Sequence, residues 1–263
     1  MSLTISPIPA FNDNYIWALQ NGDGQVFVVD PGDAEPVNAW LASHQAILAG
    51  ILITHHHADH TGGIDGLLAT AQVPVYGPAR GHIRQLTTTL SDGDKISILG
   101  HVFDIMETPG HTLDHIVYFH AGNDNDSPSG PLLFCGDTLF AGGCGRIFEG
   151  NPQMMYTSLQ RLAALPGSTQ VFCAHEYTLA NLAFATGAEP DNADLAERQI
   201  AERRKRDQMR PTLPSTILLE QRTNPFLRCH SPSLQATVQQ HVKQKLDTGV
   251  ELFTALRRLK DQA

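Results

Sequence analysis

Four potential metal ligands emerge within the run Thr54-His55-His56-His57-Ala58-Asp59-His60, which follows the apolar stretch Gly50-Ile51-Leu52-Ile53. The chain has 13 histidines in 263 residues. A buried imidazole needs a partner for its polar atoms, so this crowding points to metal rather than to core packing. Side chains alternate in an extended segment, so His55 and His57 face one way and can share an ion while His56 points elsewhere. Asp59 and His60 lie where the chain turns and can face a second ion. Gly62-Gly63 permits a tight turn into a following helix. Three further apolar runs end in a ligand within a turn: Thr108-Pro109-Gly110-His111, Phe134-Cys135-Gly136-Asp137 and Val171-Phe172-Cys173-Ala174-His175. His55, His57, Asp59, His60, His111, Asp137 and His175 suffice for two sites if one carboxylate bridges, and Asp137 is the natural bridge. Asp30, in Val28-Val29-Asp30-Pro31-Gly32, either orients a ligand histidine or forms a turn before proline.

Two divalent ions held close together lower the pKa of a shared water, so a metal-bridging hydroxide is the expected nucleophile. Zinc is the expected metal, although imidazole and carboxylate donors also accept iron or manganese.

The elements that must position these residues read as mixed α/β. Strand-like runs fall at 15–19, 25–29, 50–53, 73–76, 102–106, 116–120, 132–135 and 171–174, with helical patterns at 36–44, 62–71 and 154–164. Residues 122–131 have the composition of an exposed loop. After Glu176 the texture becomes helical: a charged stretch at 195–210, a proline-punctuated passage through Pro225, and a closing helix expected over 233–260. The expected division is 1–175 as catalytic domain and 176–263 as helical substrate-binding domain.

A net charge of −9 offers no basic surface for a phosphate backbone, so nucleic acid is not an expected partner. No apolar run approaches the roughly 18 residues needed to cross a bilayer, and residues 1–10 lack the pattern of a secretory signal. No membrane association is expected. Cys135, Cys144, Cys173 and Cys229 are scattered without paired spacing, which fits reduced thiols in a cytoplasmic protein. Cys135 and Cys173 read as small buried hydrophobes, and His44, His82, His101, His120 and His230 as structural or exposed.

Thr54 to His60 fits the T-H-x-H-x-D-H signature, through which the chain resembles the metallo-β-lactamase-fold hydrolases. Within that superfamily it is similar to the hydroxyacylglutathione hydrolases, or glyoxalases II, over nearly its whole length. The similarity is carried by Asn12-Asp13-Asn14-Tyr15, Gly136-Asp137-Thr138-Leu139-Phe140, Gly143-Cys144-Gly145-Arg146, His175-Glu176-Tyr177-Thr178 and Arg257-Arg258-Leu259-Lys260-Asp261. The resemblance implies a four-layered αββα sandwich with a C-terminal α-helical domain. It implies that His55, His57 and His111 hold one ion, that Asp59, His60 and His175 hold the other, and that Asp137 bridges them. Asp59 and Asp137 would be the catalytic carboxylates. Glutathione would be gripped by Arg146, Phe148, Tyr177, Arg257 and Lys260. Arg146 and Phe148 stand where other family members carry Lys and Tyr. Arg keeps the charge in a planar fork, whereas Phe148 cannot donate a hydrogen bond.

The implied reaction is hydrolysis of the thioester of S-(2-hydroxyacyl)glutathione, such as S-D-lactoylglutathione, to glutathione and D-lactate, the second step of methylglyoxal detoxification, by a monomer. Other chemistries known on this fold are persulfide dioxygenation, lactone hydrolysis and β-lactam hydrolysis. The C-terminal Arg257 and Lys260 favour the glutathione thioester over these.

Overall fold

The computed structural model describes residues 3–122 and 130–263. The loop expected over 122–131 therefore lies mostly outside the described residues. Two six-stranded sheets face each other. The first contains β1 (Thr4–Ala10), β2 (Asn14–Gln20), β3 (Gln25–Val29), β4 (Ile47–Leu52), β5 (Val75–Pro78) and β6 (Thr88–Leu90), in that spatial order. Its first three strands are antiparallel, and β3 to β6 run parallel. The second sheet contains β7 (Lys95–Ile98), β8 (His101–Glu107), β9 (Ile116–His120), β10 (Leu132–Gly136), β13 (Gln170–Cys173) and β14 (Ser215–Thr216), in the order β14-β13-β10-β9-β8-β7. A small hairpin of β11 (Leu139–Phe140) and β12 (Gly143–Cys144) leaves the end of β10.

The period of two in each central strand explains the layering. In β2, Tyr15, Trp17 and Leu19 enter the core between the sheets, while Ile16 and Ala18 enter an outer core. That outer core is closed by α1 (Ala34–Ser43) through Val37 and by α3 (Ile64–Leu68) through Ile64 and Leu67. Side chains also bridge the sheets directly. Trp17 Nε1–H donates to the Cys173 carbonyl at 2.9 Å, and the Tyr118 hydroxyl donates to the Ile53 carbonyl at 2.8 Å. On the far side, α4 (Pro152–Ala163) buries Met155, Leu159 and Leu162. Helix, sheet, sheet and helix form the expected four layers.

The remaining helices are α2 (Ala58–Thr61), α5 (Thr178–Ala188), α6 (Ala193–Asp207), α7 (Ile217–Thr223), α8 (Pro232–Val242) and α9 (Gly249–Asp261). The closing helix expected over 233–260 is two helices. Lys243 adopts a left-handed conformation with φ 55°, and Thr248 restarts the chain with a capping box to Glu251. The helix expected over 62–71 is shorter, as α3 at Ile64–Leu68, and Gly62 and Gly63 separate it from the single turn of α2 that precedes it.

The C-terminal helices share the core of the second sheet: Phe226, Phe253 and Leu256 belong to the same cluster as Phe134. A buried ion pair tethers them further. Arg198 on α6 donates to Glu220 on α7 at 2.6 Å, and the other Glu220 oxygen accepts the Gly142 N–H at 2.8 Å, in the β11–β12 turn. Removing one partner of such a pair strands a buried charge. Glu220→Ala should therefore lower unfolding free energy by about 3–5 kcal/mol, measured by urea denaturation.

Candidate metal centre

All seven candidate ligands lie beyond the C-terminal ends of strands, at one edge of the sandwich. The first sheet delivers the 55–60 segment from β4, while the second delivers His111 beyond β8, Asp137 from β10 and His175 from β13. Two glycines let the backbones close in. Gly136 has φ 45°, and a Cβ there would meet Thr54 Oγ1 at 2.4 Å; a Cβ on Gly145 would meet the Asp137 carbonyl at 1.9 Å.

The side chains form overlapping groups: His55, His57 and His111; His55, His60 and Asp137; and Asp59, His60 and His175. Asp137 divides its oxygens between them. Oδ1 lies 3.5 Å from His60 Nε2 and 3.4 Å from His175 Nε2, while Oδ2 lies 3.4 Å from His111 Nε2. Asp59 Oδ2 stands 3.4 Å from His60 Nε2 and 3.5 Å from His175 Nε2. Two donors on one tetrahedral ion, bonded at about 2.0–2.2 Å, stand roughly 3.3–3.5 Å apart. His55 Nε2, His60 Nε2 and Asp137 Oδ1 are buried and form no hydrogen bond. Orphaned imidazole and carboxylate donors at these spacings fit divalent metal ions.

On four of these rings Nδ1 already faces another group, which leaves Nε2 turned to the centre, whereas His57 turns Nδ1 toward His111 Nε2 at 3.0 Å. His60 Nδ1 lies 3.0 Å from Asp30 Oδ2, His175 Nδ1 2.9 Å from Asp13 Oδ1, His111 Nδ1 2.7 Å from the Arg146 carbonyl, and His55 Nδ1 3.1 Å from Thr54 Oγ1. Asp30 therefore orients a histidine, and it also accepts from the Thr54 N–H and hydroxyl, both at 2.7 Å.

Burial keeps His55 and His111 below the ordinary histidine range, hence neutral and able to ligate. Burial opposes ionisation of Asp137 too, but the His60 and His175 charges outweigh it and hold the carboxyl well below its usual range. Burial likewise opposes charge on His60, yet Asp137 and Asp30 outweigh it and push the imidazole well above the ordinary histidine range. The carboxylates of the centre therefore favour positive charge beside them.

The five residues expected to grip substrate line one cleft of about 560 Å³ together with His57, Asp59, His111, Asp137 and His175. Tyr177 stacks on the His175 ring at 4.6 Å, with its hydroxyl pushed up to about 12 by burial and by nearby Asp13 and Asp137. Phe148 is exposed and sets its ring edge-on to His57 at 5.6 Å and His111 at 5.3 Å. Arg146 Nε lies 3.4 Å from Asp261 Oδ1. Arg257 is buried, donating to the Cys144 carbonyl at 3.0 Å and to Asp261 at 2.9 Å. Lys260 places Nζ 5.3 Å from the Phe184 ring centroid.

Three residues at the centre were not singled out for a role by sequence reasoning. His115 accepts the Asp137 N–H at 3.0 Å through Nε2 and stacks on His55 at 4.8 Å. Burial holds it neutral, so its Nδ1–H is free to donate to Thr108 or Thr138. Asp13 holds His175, and Asn14 Nδ2 donates to Asp59 Oδ2 at 3.1 Å. The only signal for the last two was the Asn12-Asp13-Asn14-Tyr15 motif, which gives no hint of which ligand it meets.

A fold of two facing sheets with these ligands at one edge defines a member of the metallo-β-lactamase superfamily, whose family model matches residues 11–175. The model of the hydroxyacylglutathione hydrolase C-terminus matches residues 176–263. The chain belongs to the hydroxyacylglutathione hydrolase family. It is 52% identical to the hydroxyacylglutathione hydrolase of Pseudomonas aeruginosa (strain LESB58), over 99% of both chains. It is 48% identical to that of Hahella chejuensis (strain KCTC 2396), over 98% of both. Among solved structures, ETHE1 from Myxococcus xanthus shares the fold with a TM-score of 0.65, at 23% identity over 99% of this chain and 98% of its own.

Because Asp13 holds His175 only through the ring's outer nitrogen, Asp13→Ala should weaken binding of one metal equivalent by about 10–100-fold and leave the other nearly unchanged. Stepwise zinc titration of the metal-free protein measures this.

Proposed function

We propose that this chain hydrolyses the thioester of S-(2-hydroxyacyl)glutathione, with S-D-lactoylglutathione as the type substrate, releasing glutathione and D-lactate. The observation that carries the reading is the opening of a single cleft onto both the Asp137 centre and the cations Arg146, Arg257 and Lys260. Family membership over the full chain supports it. In this reading His55, His57 and His111 would hold one ion and Asp59, His60 and His175 the other, with Asp137 offering an oxygen to each. Zinc suits the donor set and near-tetrahedral spacings, as iron or manganese also would. When bound, the ions supply an acidified water and a Lewis acid for the carbonyl oxygen.

The protein's own residues bind and orient. Arg146 and Lys260 meet the tripeptide's carboxylates, and Arg257, clamped between Cys144 and Asp261, sets the floor of their subsite. Tyr177 keeps its proton at neutral pH, because its hydroxyl is pushed up to about 12, and so remains a donor to the peptide. Phe148 lies edge-on to His57 and His111 and restricts water at the lip of the cleft. The thiolate leaves readily without assistance, so tripeptide binding serves mainly to place the carbonyl at the centre. Residues 1–175 act as the catalytic part and 176–263 as the glutathione-binding part. Among the described residues no helix is long and apolar enough to cross a membrane. We place the enzyme in the cytoplasm as a monomer.

Purified protein supplied with zinc or iron should turn over S-D-lactoylglutathione, whereas Asp137→Asn should not. Lys260→Gln should raise KM about tenfold with kcat nearly unchanged, since a charged contact to a remote part of the substrate contributes about 1.5–3 kcal/mol equally to ground and transition states. Wild-type turnover no greater than that of Asp137→Asn would overturn the reading.

A further inference from the structure

His56 sits between two candidate ligands but turns away from both into a separate cleft of about 490 Å³, whose lining includes Arg80, Gly81, His82, Asp114 and Glu149. Its surroundings repeat those of His60 and His175. Each of those two rings meets a carboxylate at Nδ1, at 3.0 and 2.9 Å, and turns Nε2 toward others at 3.4–3.5 Å. His56 Nδ1 lies 3.0 Å from Asp114 Oδ1, and His56 Nε2 lies 3.4 Å from Glu149 Oε1. One donor atom from each of the three residues falls within 4.8 Å of the others.

The arrangement is fixed on both sides. Asp114 is 5% exposed, and its Oδ2 is buried without a hydrogen-bond partner, against Gly81, where a Cβ would come within 2.7 Å of it. Glu149 Oε2 accepts the Leu113 N–H at 2.8 Å, which leaves Oε1 turned to the imidazole. With Nδ1 held by Asp114, Nε2 is the nitrogen turned to Glu149, and its 3.4 Å from Oε1 is the separation of two donors on a tetrahedral ion with bonds of roughly 2.1 Å. The cleft's charge permits it: Asp65, Asp114 and Glu149 line it, and Arg80 is turned to Glu107 at 3.4 Å, leaving Arg84 as the other lining cation.

We propose that His56 and Glu149, backed by Asp114, form a third, peripheral site for a zinc-class divalent cation, separate from the two sites that share Asp137. With fewer protein donors than either of those, and the rest of its coordination supplied by water, it fills only after they do. Its occupancy is a matter of stoichiometry and holds whatever the substrate.

The test is zinc titration of the holoenzyme already carrying two equivalents, with a chromophoric chelator as competitor and total metal counted by elemental analysis. Wild type should take up a third equivalent. Glu149→Gln, an isosteric change at a partly exposed side chain, should abolish that equivalent, retain the two tight ones and leave basal turnover unchanged. His56→Asn should do the same to the third equivalent. Asp114→Asn should weaken it by about 10–100-fold, as loss of a carboxylate behind a ligating histidine does. The exposed His44→Gln should keep it. A wild type that stops at two equivalents, or a third equivalent that survives in Glu149→Gln, would overturn the proposal.

Discussion

A single buried carboxylate, Asp137, is surrounded by imidazoles from both sheets, and its two oxygens face different groups of them. In a water-poor setting that arrangement is stable only if charge is balanced locally. The neighbouring structure serves that balance. His115 fixes the Asp137 backbone, Gly136 and Gly145 let adjacent chains approach it, and Asp30 and Asp13 turn His60 and His175 toward it. The sandwich explains how ligands so distant in sequence meet: parallel β3 and β4 in one sheet and β10 and β13 in the other end at the same edge.

Helix α9 packs against the elements that carry this centre. Its buried Arg257 reaches the Cys144 carbonyl in β12, so the C-terminal helix is docked on the hairpin that follows Asp137. Arg146 and Lys260 then flank a cleft whose inner end is the metal centre. The two parts of the chain, matched by different family models, thus contribute to one cavity.

Most of the centre was legible in the sequence because each ligand follows an apolar strand and sits in a turn, a local pattern that needs no tertiary knowledge. The fold class was legible for the same reason: strands such as β3 and β9 carry continuous apolar runs bounded by turn residues. What escaped was set by long-range contact. Asp13 and His175 are 162 residues apart, Asp137 and His115 are 22 apart, and no periodicity marks either pairing. Asp30 could be read equally as a turn residue until its contacts with Thr54 and His60 were seen. The break between α8 and α9 was missed because Lys243 has no sequence preference for the left-handed conformation it adopts, although Thr248 and Glu251 carry a legible capping box.

Anomalous diffraction at the metal absorption edge, from crystals of the protein as purified, tests the sharing of Asp137 most directly. The account predicts two anomalous peaks flanking this carboxylate, one contacted by Oδ2 with His55, His57 and His111, the other by Oδ1 with Asp59, His60 and His175. A single peak, or two peaks of which only one contacts Asp137, would contradict it.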